Sequence, residues 1–149
     1  ILTMGEAALV PLPRPLVAVP VPLAPQRVRE RGFNQAEEIF APWLAAHGIA
    51  LRLLLVRTRE TAPLYEHTRT ERRQELRGAF AVMEDTRTER QRELRGAFAV
   101  AEGADVTARD VLLVDDIMTS GATLTECART LKRAGARRVY AFVLASEHL

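Results

Sequence analysis

The 149-residue sequence predicts an α/β protein, a parallel twisted sheet flanked by helices, and two observations carry that expectation. The last third reads "DVLLV" (110–114), "TLTECARTLKRAG" (123–135) and "RRVYAFVLA" (137–145), a strand, a helix and a strand on short connections. Such a unit closes right-handed with its strands parallel. The first third repeats the same order of elements, so both halves feed one sheet.

Taken in order, "PLVAVPVPL" (15–23) is β-branched and apolar but interrupted by proline, a strand that runs into a bent loop. "APQRVRERGFNQ" (24–35) reads as a basic loop around Gly32. In "NQAEEIFAPWLAAHG" (34–48), Ala36, Ile39, Phe40, Trp43 and Leu44 recur at helical spacing. Asn34 is a fitting N-cap with Glu37 behind it, and Gly48 is a stop. "ALRLLLVR" (50–57) reads as one strand. In the carboxy-terminal helix, Leu124, Cys127, Ala128 and Leu131 form the inner stripe, with Lys132 and Arg133 at its negative end.

Between these halves the chain repeats itself. "TRTERRQELRGAFAV" (68–82) returns as "TRTERQRELRGAFAV" (86–100), an offset of 86 − 68 = 18 residues. Two copies do not make a solenoid. One "GAFAV" is expected to pair as a strand, and the other to sit in an exposed excursion.

Composition narrows the function classes. Hydrophobic residues make up 48% and charged residues 27%, as in soluble globular domains, and no apolar run has the length of a membrane span. The chain opens on Ile1 without the basic region of a signal peptide, so a cytoplasmic location is expected. A single cysteine, Cys127, excludes an internal disulfide or zinc ribbon and reads as a small core residue. The net charge of +2 gives no case for direct nucleic-acid binding. A homo-oligomer is compatible with all of this.

The chemistry gathers at "VDDIMTSGAT" (114–123). Ligands of parallel sheets bind beyond the carboxyl ends of the strands, where Asp115 and Asp116 stand. The run Thr119, Ser120, Gly121, Ala122 and Thr123 then enters a helix, whose first amides lack intrahelical partners and suit a phosphate. Two carboxylates beside a phosphate suit ribose hydroxyls, or a Mg²⁺ held with them. Together they imply a ribose 5-phosphate. A Walker-type loop would need a lysine that is absent here. A response-regulator pocket would need further partners in the 149 − 116 = 33 residues that follow Asp116. An ordinary strand-to-helix turn explains Gly121 and Thr123, but not both aspartates with the whole hydroxyl run.

"VLLVDDIMTSGAT" (111–123) resembles, at every position, the thirteen-residue phosphoribosyl-diphosphate (PRPP) signature of type I phosphoribosyltransferases. "VPVP…R…RGFNQA" (19–36) and "RTRETAP…R…GAF" are similar to the ComF-type competence proteins. The resemblance implies one phosphoribosyltransferase-like domain over 1–149, with a small hood region over 58–100 that contains the duplication. It implies that 119–123 hold the 5-phosphate and that Asp115 and Asp116 are the catalytic pair facing ribose and, indirectly, Mg²⁺. Arg27, Arg29, Arg31 and Asn34 would then meet the diphosphate, and the stretch from Thr61 to Gly78 would close over the substrate. The activity implied is phosphoribosyl transfer with diphosphate release, linked to natural competence and DNA uptake, with a competence-machinery protein as partner. Three departures stand against it. Leu64 replaces the family's usual glutamine, Glu75 or Glu93 its asparagine, and these 149 residues include no Cys-rich zinc ribbon. The alternative is a non-catalytic module that binds PRPP, a nucleotide or a partner.

Overall fold

The computed structural model describes residues 16–58 and 91–146, and the backbone of residues 2–3. Its main sheet has five parallel strands: β1 (Leu2–Thr3), β2 (Leu16–Pro20), β3 (Ala50–Leu51), β6 (Asp110–Met118) and β7 (Arg138–Ser146). Their spatial order is β1-β7-β6-β2-β3. A separate antiparallel pair joins β4 (Leu55–Arg57) to β5 (Phe98–Val100). Three helices complete the described elements: α1 (Pro25–Arg31), α2 (Gln35–Ala46) and α3 (Ala122–Arg133). The predicted α/β architecture is the observed one.

The central strands β2 and β6 are buried on both faces, as their unbroken apolar runs require. Val17, Val19, Val111 and Leu113 pack with Leu124, Cys127 and Leu131 of α3. The alternate residues Leu16, Ala18, Leu112 and Val114 pack with Ala36, Phe40 and Leu44 of α2. Cys127 is a buried core residue, as expected. Trp43 stacks on Phe142 at 5.4 Å and Phe40 meets that ring edge-on at 5.3 Å, which fixes α2 over β7.

Two expectations need correction. The basic loop expected at 24–35 is in part a helix. Pro25 occupies the first turn, where its missing N–H costs nothing, and Gly32 closes the end at φ 76 with its N–H on the Val28 carbonyl. The straight-chain Gln, Arg and Glu residues between them favour the helix, and Gln26 bonds Glu30 across one turn. The single strand expected at 50–57 is two strands in two sheets. Ala50 and Leu51 pair with β2, Arg52 still donates to the Ala18 carbonyl, and the chain turns at 52–54 before Leu55 joins β5. An apolar run carries no mark of such a change of partner.

Of the duplicated stretch, the second copy supplies β5, in the register Leu55↔Val100 and Arg57↔Phe98. Residues 91–94 form a helical turn before it. The first copy, with the expected excursion, Leu64, Glu75 and the closing stretch, lies outside the described residues. Deleting residues 68–85 leaves one copy, with the run-in that precedes the first and the segment that follows the second, and nearly halves the connection between β4 and β5. The lower closure entropy is worth about 0.6 kcal/mol. The deletion protein should melt at an equal or higher temperature and keep its ligand affinity, as thermal denaturation and titration would show.

The start of β6 is held by an ion pair. Arg137 donates to both carboxylate oxygens of the buried Asp110, at 2.8 and 2.6 Å. The guanidinium holds the Asp110 carboxyl below its ordinary value and is itself pushed up. A depressed carboxyl contributes stability that is present above its unfolded value, near 3.8, and is lost as pH falls through the folded one. Melting curves between pH 7 and 2 should therefore show an acid-side loss. Arg137→Gln should lower the melting temperature at pH 7 and flatten that loss.

Candidate functional site

The site rests on a step in the sheet. Pairing of β2 with β6 ends at Pro20↔Val114, with one further bond from Val21 N–H to the Val114 carbonyl at 2.9 Å. On its other side β6 stays paired with β7 as far as Met118↔Ser146. Asp115, Asp116, Ile117 and Met118 therefore overhang the end of β2. Pro20 sits at this end of β2, where β3, paired only to Val17 and Ala18, asks nothing of its missing N–H.

The two carboxylates brace their own strand. Asp115 Oδ1 accepts the Asp116 N–H at 3.0 Å, and Asp116 Oδ1 accepts the Ile117 N–H at 2.9 Å. Burial, and next the charge of Asp116, push the Asp115 carboxyl up to about 7. A half-buried acid beside a second acid suits an incoming cation or a donating hydroxyl.

The loop follows at once. Gly121 stands at φ 70 and is the N-cap of α3, which begins at Ala122, one residue earlier than expected. Ser120 Oγ accepts the Ala122 N–H at 3.3 Å. The first intrahelical bond runs from Thr125 N–H to the Gly121 carbonyl, so the amides of Ala122, Thr123 and Leu124 precede it. No acidic residue lies in this first turn. Thr119 is exposed, and Ser120 and Thr123 are half-buried. The fold thus brings the five loop residues and both aspartates together at the carboxyl end of a central strand.

The profile of the family described as phosphoribosyl transferase domain matches residues 52–148, well over half of the chain. The chain belongs to the phosphoribosyl transferase domain family. It is 28% identical over 134 residues to competence protein F of Haemophilus influenzae, covering 88% of this chain and 50% of that protein. It is 31% identical over 129 residues to DNA utilization protein YhgH of Escherichia coli O157:H7, covering 85% and 47%. A 38-residue stretch is 55% identical to ribose-phosphate pyrophosphokinase of Haemophilus ducreyi, 26% of this chain and 12% of that one. The chain thus spans about half the length of the long curated matches and a small part of the pyrophosphokinase.

Three of the basic residues lie on α1, the helix that follows β2. Arg27, Arg29 and Arg31 are exposed, and Arg31 donates to Gln35. Asn34 has a defined part in the fold: its Oδ1 accepts the Ala36 N–H at 3.1 Å and its Nδ2 donates to the Val21 carbonyl at 3.0 Å. It therefore ties α2 to the end of β2, and one amide hydrogen is left for a ligand. Glu93 is exposed. Among the described residues no helix is long and apolar enough to cross a membrane, and no group of three or more His, Cys, Asp or Glu is arranged to hold a metal.

Two residues escaped the sequence reading. Ile117 is 52% exposed between the carboxylates and the loop, an apolar face on the rim of the site. An isoleucine in a strand reads as core, and only its place beyond the apolar run distinguishes it. Glu126 is buried in the middle of α3, where a helical pattern predicts a solvent-facing acid.

The raised Asp115 carboxyl gives a pH test. Its folded value, about 7, lies above the ordinary 3.8, so the native state holds the extra proton between them. Stability from this group is present at low pH and is lost as pH rises through about 7. Urea melts of wild type and Asp115→Asn should diverge with pH. The Asn variant should be the more stable at pH 8, by a margin on the order of a few kcal/mol at most.

Proposed function

We propose that this domain binds PRPP and catalyses Mg²⁺-dependent phosphoribosyl transfer with release of diphosphate. The observation that carries the reading is the adjacent pair Asp115 and Asp116 on the part of β6 that overhangs β2, directly ahead of a donor-rich helix start. The amides and hydroxyls of 119–123 receive the 5-phosphate. Asp115 and Asp116 accept the 2′- and 3′-hydroxyls of the ribose and orient the ring. Ile117 offers an apolar face to the acceptor. Arg27, Arg29 and Arg31, with the remaining amide hydrogen of Asn34, lie on the segment that would meet the diphosphate. In the transfer the C1–O bond breaks with its electron pair on the departing diphosphate. An acceptor nitrogen forms the new C1–N bond and gives up its proton.

Two adjacent carboxylates fit the hard, oxygen-seeking Mg²⁺, with the ligand's own oxygens completing its shell. When bound, the ion neutralises diphosphate charge. The residues of the chain fix the ribose and the phosphate, and positioning with charge neutralisation would supply most of the rate.

The names of the two long relatives support a role in competence or DNA utilization, and the proposal adds a protein of that machinery as partner and a cytoplasmic setting. A second reading is a PRPP-binding module without catalysis, favoured by Leu64 and the duplicated stretch. Titration with PRPP and Mg²⁺, followed by a diphosphate-release assay over candidate bases, separates the two. Release above background supports transfer. Binding with no release for any base supports the module.

A further inference from the structure

Two charged or polar residues are buried among those described, Asp110 and Glu126. Arg137 accounts for the first. Glu126 is different, because its partner belongs to the small sheet. One carboxylate oxygen accepts the Gly96 N–H at 2.9 Å, and the other accepts from Arg129 at 2.6 Å. Gly96 stands at φ 72, a conformation that favours glycine. Its carbonyl accepts from Thr58 Oγ1 at 3.3 Å, and the Thr58 N–H donates to Ala97 at 2.9 Å. Thr58 directly follows β4, and Gly96 lies two residues before β5. The carboxylate therefore grips the root of the β4–β5 pair.

The surroundings are apolar. Leu94, Ala97 and Phe98 pack in the same cluster as Leu124 and Cys127. A leucine at position 126 would bury more comfortably there, since a buried carboxylate is costly unless it is bonded. What a leucine cannot do is fix direction. Among the described residues the β4–β5 pair shares no ladder with the main sheet, and apolar packing by itself would not fix its direction. Glu126 lies about one turn from the amides that open α3, so its grip refers the small sheet to the helix that carries 119–123.

We propose that Glu126 is a positioning residue, holding the β4–β5 pair in fixed relation to the phosphate loop and thereby setting affinity for the phosphoribosyl ligand. The proposal rests on the PRPP reading for its ligand and on geometry alone for its clamp. The gripped glycine, Gly96, belongs to the second copy of the duplication.

The test compares wild type, Glu126→Ala and Glu126→Gln by hydrogen exchange at the Gly96 amide and by PRPP titration. Gln retains the accepting oxygen and should lie within about twofold of wild type on both readouts. Ala should speed exchange at Gly96 and weaken PRPP by roughly tenfold in a protein that stays folded. If Ala does not fold, Glu126→Asp, one methylene too short for the grip, takes its place in the comparison. Unchanged Gly96 exchange in the truncated variant overturns the clamp. Altered exchange with unchanged PRPP affinity overturns the positioning role, as does a Gln variant as impaired as Ala. A wild-type protein that binds no PRPP overturns the ligand reading, while the exchange measurement still decides the clamp.

Discussion

Asp115→Asn and Asp116→Asn are expected to weaken PRPP binding by roughly ten- to a hundredfold each, the range for losing hydrogen bonds to a charged acceptor. Inorganic phosphate should be held almost as before. The carboxylates are assigned to ribose and metal, and the phosphate to the amides and hydroxyls beyond them. Parallel titrations of PRPP and phosphate make the comparison. Equal losses for both ligands would mean that the loop had collapsed, since Asp115 and Asp116 also accept the backbone amides of Asp116 and Ile117. Asn keeps an oxygen for those amides, which is why it is preferred to Ala. Asp115→Asn should lose affinity while gaining stability at high pH, because the charge that would serve the ligand is costly to bury beside Asp116.

Gly121→Val should abolish detectable binding of both PRPP and ribose 5-phosphate. A Cβ at this position would meet the Met118 side chain, Sδ at 3.6 Å and Cγ at 4.0 Å, both ordinary contacts. The harm comes from the backbone. At φ 70 a β-branched residue is strained, by about 1–2 kcal/mol. The cheapest relief is a shift of the loop that aims the amides of α3. The melting temperature should fall by only about 2–8 °C, since the strain is local. A variant that melts in this range yet binds ribose 5-phosphate like wild type would remove the phosphate from this loop.

Where periodicity and capping chemistry agreed, the sequence was a sufficient guide. The apolar run at 110–114 and the helix behind it needed no tertiary information, because burial on both faces and a 3.6-residue stripe leave little choice. Asn34 was legible as a cap because its side chain satisfies a local amide. The change of sheet inside 50–57 was not legible, since Leu51 and Leu55 look alike and differ only in the strand that waits for them. Nor was α1, whose arginines read as solvated charge until Pro25 and Gly32 are taken as its two ends. In the site, the aspartates and the loop announced themselves by residue type. Ile117 and Glu126 did not, because each is ordinary in composition and unusual only in exposure.

In the proposed function PRPP meets the carboxyl end of β6. Calorimetric titration of PRPP into the protein, with and without Mg²⁺, tests that most directly. A single saturable site that tightens when Mg²⁺ is present is the result expected. No measurable binding in either condition, or binding indifferent to Mg²⁺, would contradict it.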